Sequence, residues 1–233
     1  MKIYGSLALF CLLAPALYAA DAKDEVIKAS KKLAEKPNYS WRTTVAVPEN
    51  ARYKPGPVEG KTEKGGVTHL LMSFGDNSVD AVLKGDKGAI KTQDGDWRSL
   101  QDVEGEDGPR RFMAGLLRNF KTPVDVAEEL ANQSKSLKKE GDALEGELTE
   151  EGAKAMLSWR RGKGSGGPEI SNAKGNVKFW IKEGELSKFE FQVTGSMNFN
   201  GNDVDVDRTT TVEIKDVGST KIVIPEGAQK ALS

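Results

Sequence analysis

Alternation of apolar and polar residues with a period of two dominates the last third of the chain. Val177, Phe179 and Ile181 alternate with Lys178, Trp180 and Lys182; after Glu183-Gly184-Glu185, the residues Phe189, Phe191 and Val193 alternate with Lys188, Glu190, Gln192 and Thr194. Successive strand side chains point to opposite faces, so each run predicts an antiparallel strand with one face on a core and the other in water. Asn200-Gly201-Asn202-Asp203 predicts a tight turn, Val204 to Val217 a returning strand, and Lys221 to Ile224 one more before Pro225 stops it.

Earlier in the chain the period changes twice. Asp24 to Lys36 places Val26, Ile27, Ser30, Leu33 and Ala34 on a narrow stripe and predicts a helix ended by Pro37-Asn38. Tyr39, Trp41, Thr43, Val45 and Val47 then share one face of a first long strand, and the Pro- and Gly-rich residues 48–66 read as a surface loop. Residues 67–74, 78–84 and 88–92 predict three short strands joined by hairpin turns, which leaves no length for a crossover helix and excludes a Rossmann-like parallel sheet. After Gly108-Pro109 the spacing of Phe112, Met113, Leu116, Leu117 and Phe120 is helical; Thr122-Pro123 with Asp125 opens a second helix with Val126, Ala127 and Leu130 inward. A polar hairpin around Gly141-Asp142 follows, then a short helix from Glu150 to Trp159 capped by Thr149. A glycine-rich break over 162–168 precedes the C-terminal meander, and Pro225-Glu226 begins a terminal helix or tail.

Composition adds the compartment. Met1-Lys2, an apolar run from Ile3 to Leu17 and Tyr18-Ala19-Ala20 read as a Sec signal peptide, residues 1–20, cleaved after Ala20, with Ala19 and Ala22 as the alternative cleavage points. Residues 21–233 are then expected to form a single domain, since 37% hydrophobic content suffices for one sizeable core. Cys11, the only cysteine, follows Phe10 rather than a small residue, so no lipid anchor is expected and the mature chain holds no thiol. Loss of Lys2 leaves 33 basic against 35 acidic side chains, which speaks against a dedicated nucleic-acid binder.

Candidate chemistry is sparse. Gly162-Lys163-Gly164-Ser165-Gly166-Gly167 has the glycines and lysine of a phosphate loop but runs into Pro168 and a strand instead of a helix. Asp203, Asp205 and Asp207 could offer oxygen ligands to calcium, yet Arg208 and Ile214 hold the places where an EF-hand needs glycine and glutamate. His69 is the only histidine, so zinc chemistry or a Ser-His-acid triad would rest on one residue in mid-strand. No catalytic residue, metal ligand or cofactor is assigned, and the chain is read as non-enzymatic. More informative are the apolar positions Leu70, Met72 and Phe74, Phe112, Leu116 and Phe120, Phe179 and Ile181, and Phe189, Phe191 and Val193. They form either a packed core or the lining of a cavity for an acyl chain, and periodicity does not separate the two.

The order of elements, with the hairpin from Asn176 to Gly195, the strand reaching Asp216 and the ending Val223-Ile224-Pro225-Glu226, resembles the LolA/LolB and LppX/LprG group of periplasmic lipoprotein and lipid carriers. That resemblance implies an α+β fold: a strongly curved antiparallel sheet, a half-open β-barrel, with helices covering its concave face and residues 108–131 as a helical lid. It also implies a lipid or a lipoprotein acyl chain as ligand, with transient membrane contact and an envelope protein as further partners. Arg42 is read either as a polar contact near the cavity mouth or as a surface arginine. The leading expectation is an exported soluble carrier or chaperone. The alternative is a non-enzymatic envelope interaction module with a filled half-barrel, and an exported hydrolase ranks third.

Overall fold

A computed structural model describes residues 14–51, 54–75, 77–106, 108–158, 168–199 and 201–233. The apolar start of the expected signal peptide, including Cys11, and the glycine-rich loop 162–167 lie outside the described residues. The fold is α+β. A first helix, α1 (Ala14–Ala34), leads into β1 (Asn38–Ala46), β2 (Val58–Glu63), β3 (Val67–Phe74), β4 (Asn77–Lys84), β5 (Lys87–Lys91) and β6 (Trp97–Ser99). Three helices follow, α2 (Leu100–Glu104), α3 (Pro109–Arg118) and α4 (Pro123–Gln133), then the hairpin β7 (Lys138–Glu140) and β8 (Ala143–Glu147). The chain closes with α5 (Glu150–Ser158), the long strands β9 (Glu169–Lys182), β10 (Glu185–Phe199) and β11 (Asn202–Lys215), and α6 (Glu226–Ala231).

All eleven strands belong to one antiparallel sheet in the order β6-β5-β4-β3-β2-β1-β11-β10-β9-β8-β7, so it is two meanders joined where β1 pairs with β11. β6 and β7 are the two edges, and the sheet does not close into a barrel. The segment holding α2, α3 and α4 connects one edge to the other and so crosses a face of the sheet. Short turns set the registers: Glu183 (φ 53°) and Gly184 (φ 75°) make the two-residue loop between β9 and β10, the left-handed pair that a type I′ hairpin requires.

The main core lies between this face and the helices. Val26, Ala29 and Leu33 of α1, Leu130 of α4 and Phe179, Phe189 and Leu186 of the long hairpin are buried together. A smaller cluster sits on the other side of the sheet, where Ala228 and Leu232 of the C-terminal segment cover Val82 and Ala89.

Several boundaries differ from the sequence reading. β2 occupies residues read as a loop, because its inward positions are Gly60 and Thr62 and show no apolar alternation. The Trp41 indole fills the space a Gly60 side chain would take, and Thr62 shares a 3.0 Å hydrogen bond with Thr68. Lys221 to Ile224 is not a strand. Both neighbours of β11 are already taken by β1 and β10, so the chain leaves the sheet at Asp216 and continues extended without a ladder. α1 begins ten residues before Asp24 and ends two before Lys36, since Pro37 disfavours helix in the residue ahead of it.

Candidate functional site

A cavity of about 120 Å³ lies between the sheet and the crossing helices. Trp41 of β1, Val58 of β2, Met72 and Phe74 of β3, Phe189 and Phe191 of β10 and Val212 of β11 form one side. Phe112, Leu116 and Leu117 of α3, the following Phe120, Val126 of α4 and Met156 of α5 form the other. Strands on both sides of the β1–β11 junction face the same space, so the sheet curls around it. Its few polar groups include Lys121 and Glu129, whose side chains form a 2.6 Å ion pair.

Seven of the eleven apolar positions singled out in the sequence line this cavity: Met72, Phe74, Phe112, Leu116, Phe120, Phe189 and Phe191. Leu70, Phe179 and Val193 are instead fully buried in the core, and Ile181 packs half-buried against it. Phe179 lies directly opposite Phe189 but on β9, one strand further from the cavity. α1 lies across β10 and β9 and ties to their turn through Lys32, which donates to the Glu183 carbonyl at 2.7 Å. Trp41, Val58, Val126, Met156 and Val212 were not among the eleven. Trp41 and Val126 lay on faces already read as apolar, whereas Val58 was hidden in the supposed loop.

The two helices over the cavity are held very differently. α4 starts with a reciprocal cap, in which the Asp125 amide donates to Thr122 Oγ1 and the Thr122 amide donates to the Asp125 carboxylate. It buries Val126, Ala127, Leu130 and Ala131 and packs against α1. Its leading end is fixed to β1: Trp41 stacks on Phe120 with ring centres 6.2 Å apart, and Tyr39 is buried beside Thr122. Burial pushes the Tyr39 hydroxyl well above its usual range, against the opposing pull of a hydrogen bond shared with Thr122, so it stays neutral.

α3 has a weaker hold. Among its described side chains only Ala114 and Leu117 are fully buried, and Phe112 is 54% exposed although it lines the cavity. Gly108, at its start, has φ 89°, a conformation open to glycine and strained for other residues. Met113 and Leu116 pack half-buried against the core, and ion pairs around the helix add to that hold: Glu106 accepts from Arg98 and Arg110, and Glu104 accepts from Arg118.

Those pairs predict a pH response. The hydrogen bonds from Arg98 and then Arg110 hold the Glu106 carboxyl below its usual range. A depressed carboxylate contributes its stabilisation above the unfolded-state value, about pH 4, and loses it as pH falls through the folded value. Amide hydrogen exchange over residues 109–118, corrected for intrinsic rates, is therefore expected to show lower protection at pH 3 than at pH 7. Glu106→Gln should show the same loosening at pH 7, and unchanged protection in both would remove the ion pairs from the account.

Other candidate groups lie elsewhere. His69 Nε2 contacts Asp80 Oδ1 at 2.6 Å on the outer face of β3 and β4. Arg42 pairs with Glu59 on that outer face and does not line the cavity, in keeping with its reading as a surface arginine. Asp203, Asp205 and Asp207 are exposed, and Asp203 and Asp207 accept hydrogen bonds from Asn198 and Gln192. Among the described residues no group of three or more His, Cys, Asp or Glu side chains is placed to hold a metal ion, and no helix is long and apolar enough to cross a membrane.

No family model matches the chain, and no curated protein matches it by sequence. Solved structures similar to it in fold include LprF from Mycobacterium bovis, with a TM-score of 0.46 and 11% identity over 90% of this chain and 98% of that one. Lipoprotein LppX from Mycobacterium tuberculosis gives 0.46 and 9% over 88% and 98%. A LolA superfamily protein from Nitrosomonas europaea gives 0.37 and 10% over 93% and 97%. At these identities and scores the likeness says nothing about ligand or activity.

Proposed function

We propose that this protein is an exported, non-enzymatic carrier or chaperone whose residues 21–233 act as one domain and shelter an acyl chain under α3. The observation that supports this reading is the apolar cavity itself, walled by the curled sheet and roofed by one firmly held helix and one lightly held one. The mechanism is transfer of apolar surface, worth roughly 0.8 kcal/mol for each buried methylene.

Size refines the mechanism. A cavity of about 120 Å³ falls below the roughly 300–1,000 Å³ of ordinary ligand pockets. The closed form therefore shelters part of a chain at most, and uptake requires α3 to move. Elements that move in binding are drawn from the less stable parts of a fold, and α3 fits that description better than α4 does. The lid is thus narrower than residues 108–131: α3 swings, while α4 stays with β1 and α1.

The small volume is also what favours the second reading, a filled half-barrel that serves as an interaction module in the envelope. Native mass spectrometry of protein purified without delipidation separates the two. The carrier is expected to show adducts in the mass range of lipids that gentle activation removes. Bare polypeptide, together with no uptake of added fatty acid by a cooperatively folded protein, would favour the module.

A further inference from the structure

β1 and β11 run side by side for only part of their length. Their pairing ends with Ala46 opposite Thr209, where Val47-Pro48 takes the chain out of the sheet, since proline cannot donate to a ladder. β11 extends beyond that point, held on its other side by β10 in the pairs from Arg208 with Val193 to Asn202 with Phe199. From Asp203 to Asp207, among the described residues, no strand or loop backbone bonds to the side that β1 has left. Alternate N–H and C=O groups therefore face outward along roughly 14 Å of strand.

The side chains along this edge are sorted by face. Asp203, Asp205 and Asp207 stand on the outer face, whereas Val204 and Val206 share the inward parity of Thr210 and Val212; Val206 is half-buried and Val204 is 48% exposed. Asp203 and Asp207 accept from the neutral amides of Asn198 and Gln192, and Asp205 lies opposite Ser196. Among the described residues none of the three carboxylates has a cation paired with it. Aspartate is a poor strand former, and like charges directly opposite each other destabilise a strand pair. The acids thus oppose pairing of this edge with a second copy of the chain, the usual hazard of an open edge, and favour a strand of opposite charge. The edge at β7 is blunted in another way, by its shortness and by both signs of charge in Lys138, Lys139 and Glu140.

We infer that the free edge of β11 is a docking site for an extended basic segment of a partner protein, which adds to the sheet antiparallel to β11, in line with β1 beyond Ala46. Main-chain hydrogen bonds supply the attachment in strand addition, and alternate side chains supply the selectivity. The edge specifies the segment: lysine or arginine at every second position, against Asp203, Asp205 and Asp207, with small or aliphatic residues between them, against Val204 and Val206. None of these β11 residues lines the cavity under α3, so the site stands independently of the carrier reading.

Fluorescence anisotropy of the full protein with a labelled peptide in which lysine and valine alternate tests the assignment. Wild type is expected to bind it saturably, and Asp205→Lys to weaken binding at least about tenfold while fatty-acid uptake stays as in wild type. N-methylation of the peptide backbone, which keeps the charge and removes the donors, should weaken binding to a similar degree. Asp203→Lys gives the same readout where Asp205→Lys does not fold. Absence of saturable binding by wild type, unchanged binding by both variants, or equal binding of the N-methylated peptide would each overturn the assignment. A wild-type dimer in sedimentation velocity that Asp205→Lys abolishes would give the edge to a second copy and overturn it as well.

Discussion

Replacing Phe179 by alanine is expected to lower the unfolding free energy by about 3–5 kcal/mol, the usual cost of deleting a fully buried aromatic ring. Phe179 has no exposed surface and faces Phe189 directly across the β9–β10 ladder, with ring centres 6.3 Å apart. The pair sits at the middle of the core, where α1 closes over the long hairpin, and the surrounding strands cannot collapse into the hole without shifting register. Urea denaturation followed by circular dichroism measures the loss. A change below about 1 kcal/mol would show that this end of the half-barrel is looser than its burial indicates. The contrast with Leu116 is the useful part: Leu116→Glu, on the half-buried face of α3, is expected to keep most of the stability and to reduce ligand uptake.

A comparably large effect is expected at Trp41. Its indole lies over Gly60 on β2, stacks on Phe120 and lines the cavity, so it joins the sheet to the joint between α3 and α4. Trp41→Ala should cost about 3–5 kcal/mol through the cavity it leaves. Gly60→Ala should cost about 1–3 kcal/mol, because the added methyl meets the indole and forces it aside. The double variant tests the geometry. Once the indole is gone, the Gly60→Ala methyl no longer meets it, and the substitution removes glycine's entropic disadvantage of roughly 0.5–1 kcal/mol in a strand. Trp41→Ala/Gly60→Ala should therefore be more stable than Trp41→Ala alone, a coupling of opposite sign to simple addition. Additive losses would mean that the two residues do not share that space.

The same pair explains where reading the sequence succeeded and where it failed. β3 matches its expected span, 67–74, and Thr122 caps α4 as its Thr-Pro-x-Asp spacing implies, because both signals are local. β2 was invisible because its pattern is written on another strand: Gly60 is small so that Trp41 can be large. The opposite error occurred at Lys221 to Ile224. There Ile222 and Ile224 are half-buried while Lys221 and Val223 are exposed, a true period of two without any strand to pair with. Alternation reports which side chains turn inward and not whether a ladder forms. At the cavity the limit was similar. Period two placed Phe179, Phe189 and Phe191 on the inward face, yet only tertiary packing decides that Phe179 is enclosed in the core while Phe189 and Phe191 reach the cavity.

The division of the roof into a fixed and a moving helix was beyond the sequence for a physical reason. Both α3 and α4 have apolar stripes, and α3 has the more sharply divided of the two. Its attachment is nevertheless weaker, since part of that stripe, Phe112 above all, faces a cavity and solvent instead of packed side chains. An amphipathic pattern measures what a helix could bury and leaves open what the fold offers it.

Uptake of a hydrocarbon chain into the space under α3 is the step on which the carrier reading stands. Titration of the delipidated protein with a naturally fluorescent fatty acid, cis-parinaric acid, in parallel for wild type, Phe120→Asp and Lys182→Asp, tests it most directly. Phe120 lines the cavity, whereas Lys182 lies exposed at the end of β9 and is the control for added charge. The account predicts saturable uptake by wild type and by Lys182→Asp, and uptake weakened at least about tenfold in Phe120→Asp at a denaturation midpoint that still leaves it folded. Equal uptake by all three proteins, or none by a folded wild type, would contradict it.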